Sequence, residues 1–201
     1  FNNFDGEWLA EIIDGNKRIA KLKCLNKIKP SIVPPNVWLF FSPLKKSRTD
    51  FIVEKATELG VAEIFPTLSE FTNSERINQS RLQAHAIEAT EQCGGTYVPK
   101  VHKICKLTET LEEWPHDRKI FFCNEDNLKP TGKLSELPKG AWAIFIGPEG
   151  GFSKKEKNRF MKHPKTFSIS LGPRILRADT AAISALTLWQ LHFGDWAENK
   201  F

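Results

Sequence analysis

The chain has no purely apolar run longer than Ala141–Ile146, far too short to span a bilayer, which argues against any membrane-spanning helix. Its N-terminus carries acids and no apolar core segment, so no signal peptide is expected. It opens on Phe1 without a methionine, and residues upstream are expected. Cysteine is sparse. Cys24, Cys93, Cys105 and Cys123 are scattered, with no C-x-x-C pair and no Cys/His cluster at zinc spacing. Buried free thiols in a reducing cytoplasm follow as the expectation. His85, His102, His116, His163 and His192 show neither H-x-x-x-H nor H-E-x-x-H spacing, which argues against histidine-held metal. No G-x-G-x-x-G follows a strand, so a dinucleotide site lacks support. The nucleoside-triphosphate loop G-x-x-x-x-G-K-S/T is missing as well, and so is the hydrolase elbow G-x-S-x-G.

What is present is a globular composition. Hydrophobic residues make up 40% and charged residues 26%, which suits a folded, soluble protein. A length of 201 residues suits one large or two modest domains. The net charge of +5 permits a polyanionic partner without requiring one. The stiff segment Lys29-Pro30-Ser31-Ile32-Val33-Pro34-Pro35 divides the chain. Before it, Trp8–Ile13 and Arg18–Leu25 read as strands joined at Asp14-Gly15-Asn16, a hairpin signal. Residues 1–35 are too few for an independent domain and read as the remnant of a small barrel.

Beyond residue 36, strands and helices alternate. Strands are predicted at Val37–Phe41, Val61–Phe65 (ended by Pro66), Lys119–Cys123, Ala141–Ile146 and Phe167–Leu171. Helices are predicted at Ser47–Leu59 with Gly60 as its stop, Asn78–Cys93, Thr108–Trp114 and Asp179–Phe193 with Gly194 as its stop. Ser153-x-x-Glu156 is a capping box that starts one more, basic helix, whose Lys154, Lys155 and Lys157 read as its solvated face. This alternation predicts an α/β fold with a parallel sheet covered on both faces.

Two loops stand out. Ile146-Gly147-Pro148-Glu149-Gly150-Gly151-Phe152-Ser153 and Leu171-Gly172-Pro173-Arg174-Ile175-Leu176-Arg177-Ala178-Asp179-Thr180 each follow a strand, open on Gly-Pro and lead into a helix. Glycine lets a backbone approach a ligand closely, and proline ends the strand ladder. Two such loops at adjacent strand ends can build a pocket from main-chain and apolar groups, with little phosphate recognition.

These two loops closely resemble the bacterial 16S rRNA uridine N3-methyltransferase family, which belongs to the knotted SPOUT methyltransferases. The resemblance extends to Lys45-x-x-Arg48 with Glu54–Val61, and to Ala86–Gly94 with Val98-Pro99. It implies a C-terminal trefoil knot in a SPOUT domain over residues 36–201. The strands of residues 1–35 would then be part of a PUA-like RNA-binding β-barrel. It also implies that S-adenosylmethionine binds between the loops, at Ile146, Gly147, Pro148, Glu149, Gly150 and Gly151 of the first and Leu171, Gly172, Ile175 and Leu176 of the second. The implied partners are 16S rRNA, within the small ribosomal subunit, and a second copy of the chain. No metal and no membrane are implied, and the setting is cytoplasmic.

Uridine N3 carries a proton and is a poor nucleophile while neutral. Its methylation needs loss of that proton and a fixed cation for the charge that spreads over the flanking carbonyls. Arg177 is the candidate cation, since arginine keeps its proton. Asp179 is either the group that accepts the N3 proton or orients Arg177, or an ordinary helix cap. It stands where this family usually has Glu. Lys45, Lys46, Arg48, Arg76 and Arg81 are the candidate RNA contacts, through phosphates. Two alternatives stay open: a SPOUT methyltransferase for another rRNA or tRNA position, and a non-catalytic RNA-binding or ribosome-assembly factor. The final helix is apolar on more than one face, at Ile183, Leu186, Leu188, Trp189 and Leu191. Either a dimer or burial within the monomer would cover it.

Overall fold

A computed structural model describes residues 1–124 and 134–197. The chain runs through β1 (Glu7–Gly15), β2 (Ala20–Lys29), β3 (Val37–Phe41), α1 (Lys46–Glu58), β4 (Glu63–Leu68), α2 (Gln79–Gln92), β5 (Lys100–Val101) and β6 (Cys105–Lys106). It continues through α3 (Leu107–Glu112), β7 (Lys119–Cys123), β8 (Trp142–Ile146), α4 (Lys154–Lys162), β9 (Thr166–Ile169) and α5 (Ala178–Phe193). Seven strands form one parallel sheet in the order β5-β4-β3-β8-β7-β9, with β6 also paired to β4.

Side chains alternate across each strand, which explains why the central strands are nearly continuous apolar runs. Leu39, Phe41, Phe121 and Ile144 face one side, where α1, α2 and α5 deliver Ile52, Val53, Leu82, Ala86, Leu186 and Trp189. Phe40, Ile120, Phe122, Ala143 and Phe145 face the other, against Leu107, Leu111 and Phe160 of α3 and α4. On that second side the rings of Phe65, Phe40, Phe145, Phe160 and Phe122 form a continuous row, with neighbouring centroids 4.3–5.0 Å apart. Arg118 is 6% exposed, lies 3.3 Å from the Trp38 ring centroid and donates to the Trp142 carbonyl at 2.8 Å and to Asn36 Oδ1 at 2.8 Å. It ties the entry of β7 to β3 and β8. Burial lowers its pKa to about 10.

The predicted helices and central strands appear within one to three residues of their expected ends, and both halves of the capping box at Ser153 and Glu156 form. Three expectations change. Asp14-Gly15-Asn16 is not the tip of the hairpin: Gly15 still pairs with Ala20, and the turn follows, with Asn16 Oδ1 accepting from the amides of Arg18 and Ile19. Pro66 lies inside β4 rather than ending a strand. Its missing N–H is tolerated because β5 pairs only with Glu63 and Ile64, and β6 only with Thr67 and Leu68. The thiols are free, but Cys24 and Cys93 are exposed rather than buried, on the hairpin and at the C-cap of α2.

The β1–β2 hairpin forms its own two-stranded sheet and is exposed along nearly its whole length. It is tethered where Asn3 exchanges side-chain hydrogen bonds with the Val98 backbone at 2.9 and 2.8 Å and Lys29 Nζ donates to the Gly94 carbonyl. Among the described residues, no helix is long and apolar enough to cross a membrane.

Candidate active site

The register of the sheet brings three strand ends together. Phe122 pairs with Phe145 on β8, and Cys123 pairs with Ile169 on β9. The two Gly-Pro loops therefore do not leave adjacent strands, as the sequence suggested; β7 lies between them. The chain passes from β7 to β8 and then crosses back over β7 to β9. Such a reversal of strand order opens a crevice at the carboxyl ends of a parallel sheet. A cavity fills that crevice. The end of β7 supplies Phe122 and Cys123, with Asn124 just beyond it, while the first loop supplies Ile146, Gly147, Pro148, Glu149 and Gly151. The second loop supplies Leu171, Gly172, Arg174, Ile175 and Leu176.

Of the ten loop residues expected to hold the cofactor, Gly150 alone is outside this lining; the catalytic candidates Arg177 and Asp179 are outside it as well. A side chain at Gly150 would lie 3.3 Å from Cβ of exposed Phe71, so this glycine allows packing against the loop after β4. Gly151 and Gly172 hold φ of +68° and +105°, conformations that other residues adopt only under strain. The first loop is braced from outside. Glu156, 5% exposed, accepts from the Ser153 amide at 2.9 Å and from the Glu70 amide at 2.8 Å. Ser69 and Thr72, either side of Phe71, share a 2.9 Å hydroxyl contact, and Ser69 meets Ser42 at 2.9 Å.

Arg177 is the N-cap of α5 and is exposed, while its neighbours Leu176 and Ala178 line the cavity. Among the described residues its side chain has no polar partner. Asp179 does not pair with it. Asp179 Oδ2 lies 3.6 Å from Arg48 Nε, and Arg48 Nη1 donates to Glu149 Oε1 at 3.2 Å. Arg48 thus joins the acids of the two loops. The remaining basic candidates separate. Lys46, Arg76 and Arg81 border one hollow beside Asn78, with Arg81 held by Asp50 at 2.5 Å. Lys45, Lys46 and Arg76 are exposed and have no polar side-chain partner among the described residues.

Sequence reasoning passed over Phe122, Cys123 and Asn124, because nothing local shows that β7 lies between β8 and β9. It took Lys157 for a solvated face residue, yet Lys157 and Arg174 both line the cavity. Lys157 stands one helical turn beyond the capping serine, a spacing that could have suggested it. Cys123 is partly exposed as a residue, but burial of its thiol pushes the pKa up, so it forms part of the wall and is not a ready nucleophile.

Fold and cavity define an α/β domain with a small-molecule site at a crossover of its parallel sheet. The model of one family, the RNA methyltransferase domain, matches residues 33–190, and the chain belongs to that family. The ribosomal RNA small subunit methyltransferase E of Rickettsia conorii is 31% identical, over 92% of this chain and 77% of its own length. That of Buchnera aphidicola from Acyrthosiphon pisum is 34% identical, over 98% of this chain and 79% of its own. The crystal structure of the Neisseria gonorrhoeae ribosomal RNA small subunit methyltransferase E bound to S-adenosyl methionine superposes with a TM-score of 0.84 at 27% identity. It covers 97% of this chain and 82% of that one.

Proposed function

We propose that the chain transfers a methyl group from S-adenosylmethionine to N3 of a specific uridine in 16S rRNA, acting in the cytoplasm on the small ribosomal subunit. One observation carries the reading: both Gly-Pro loops line a single cavity over the end of β7. The lining fits the cofactor. Leu171, Ile175 and Leu176 with the adjoining main chain suit an adenosine. Glu149 complements a sulfonium, and Arg174 or Lys157 suits a carboxylate. Bound there, the cofactor supplies an electrophilic methyl group. Arg177 stabilises the negative charge that spreads over the uridine carbonyl oxygens, and its exposure beside the cavity suits a base arriving from solvent. Asp179 holds the N3 proton. The target base leaves its stack to reach them, while Lys45, Lys46 and Arg76 meet phosphates.

Residues 36–201 are read as a SPOUT domain with a C-terminal trefoil knot, which the crossing of β8 to β9 over β7 favours. Residues 1–35 are read as part of a PUA-like RNA-binding barrel, because Ile12, Ile13, Ile19 and Leu22 leave apolar strand faces uncovered. The working unit is read as a homodimer. Leu186 and Trp189 of α5 are buried within the chain, but Leu191 and nearby Trp196 are 51% and 41% exposed. A dimer would let basic residues of one subunit face the cofactor of the other. Nucleoside mass spectrometry of 16S rRNA from cells with and without the gene tests the reading. N3-methyluridine should disappear without the gene and return when purified protein and S-adenosylmethionine are added to small subunits. Unchanged N3-methyluridine would refute it. Sedimentation at micromolar concentration should show a dimer.

A further inference from the structure

We infer that Arg48 is a positioning residue that fixes the two cofactor loops relative to each other, and not an RNA-phosphate contact; the inference rests on the methyl-transfer reading above. Arg48 stands on a rigid support. The next residue, Thr49, is buried, and its hydroxyl accepts from the Leu44 amide at 2.9 Å and donates to the Leu44 carbonyl at 3.0 Å. Ile52, Val53 and Ala56 then bury α1 in the core. From this support the guanidinium reaches Glu149 with Nη1 at 3.2 Å and Asp179 with Nε at 3.6 Å. The three side chains are only 29%, 42% and 19% exposed.

Glu149 belongs to the first loop and Asp179 to the first turn of α5, where the second loop ends, and each loop forms one wall of the cavity. Two acids drawn to one guanidinium would repel each other without it, and the first loop would move away from the start of α5. Ion pairs that keep this much contact with solvent contribute little to stability, so this arrangement acts on loop geometry more than on folding. Arginine suits the role because two of its nitrogens serve two acids at once. A phosphate contact requires only a positive charge. Arg48 is already paired on both sides, whereas Lys45, Lys46 and Arg76 have no such partners among the described residues.

The test uses the full-length protein with Arg48→Ala and Arg48→Lys. Amide hydrogen exchange in residues 147–152 and 174–180, followed without RNA, should quicken about tenfold in both variants, while exchange in α1 and β3 stays as in the wild type. Single-turnover methyl transfer to small subunits should fall by roughly 10²-fold in Arg48→Ala, the scale of a misplaced reacting geometry. RNA affinity and its salt dependence should stay unchanged, and Arg48→Lys should recover little. Adding Glu149→Gln to Arg48→Ala should quicken loop exchange little further, since the pair is already broken. The inference is overturned by unchanged loop exchange. It is equally overturned by a raised KM for RNA with normal kcat, a salt slope smaller by about one contact, and rescue by lysine. A wild-type enzyme without transfer would defeat the functional reading instead, and the exchange measurement would still decide the role of Arg48.

Discussion

Replacing Gly172 by alanine isolates backbone strain from steric conflict. A Cβ built on Gly172 meets no atom within 4 Å, so the side chain has room. The whole cost lies in holding φ at +105°, about 1–3 kcal/mol for a residue with a Cβ. Gly172 is exposed, so in the ligand-free protein the loop can relax to a negative φ and leave stability almost unchanged. The cavity wall then has the wrong shape, and binding must restore the strained form. The full cost therefore appears in affinity, as a Kd for S-adenosylmethionine weakened about 5- to 150-fold. Calorimetric titration gives the Kd, and thermal melting should show little change. Gly150→Ala is the control. Its Cβ faces Phe71, outside the cavity, so affinity should change little. Gly172→Ala binding as tightly as the wild type, with Gly150→Ala losing affinity, would refute this assignment of the two loops.

Other outcomes follow from named contacts. Glu156→Ala leaves the amides of Ser153 and Glu70 without their acceptor and should lower stability in urea by roughly 2–4 kcal/mol. Arg118→Ala strips the Trp142 carbonyl and Asn36 of a buried donor and should cost about 3 kcal/mol in the same assay, while Arg118→Met keeps the packing on Trp38 and should cost less. Arg177→Ala should reduce methyl transfer about 10²-fold or more, with a much smaller change in cofactor affinity by calorimetry. Equal loss of both would instead mark Arg177 as structural.

The elements were legible because their signals are local. Ser153-x-x-Glu156 states its own capping box, Gly60 ends α1 with φ of +72°, and the apolar run Trp142–Ile146 has no amphipathic helical pattern. The short strands β5 and β6 carry no such signal. Two residues cannot show a period, and each is a strand only because β4 offers a free edge on either side of Pro66. Strand order was likewise beyond reach. β7, β8 and β9 are consecutive in the chain, and only packing on both faces of the sheet puts β7 in the middle. That single fact supplies the cavity with Phe122, Cys123 and Asn124.

The basic candidates show the same limit in another form. Lys46 and Arg48 look like one cluster in the sequence, yet residues two apart on a helix do not face each other. Lys46 borders the hollow with Arg76 and Arg81, while Arg48 meets Glu149 and Asp179. Those acids are about a hundred residues or more further along the chain, so no local pattern links them to Arg48. A charge that looks free in the sequence becomes an internal tie once folding brings its partners to it. Asp50 binds Arg81 in the same way. Of the basic candidates, Lys45, Lys46 and Arg76, all near the start of α1 or the approach to α2, keep no polar side-chain partner among the described residues and are the ones open to a polyanion.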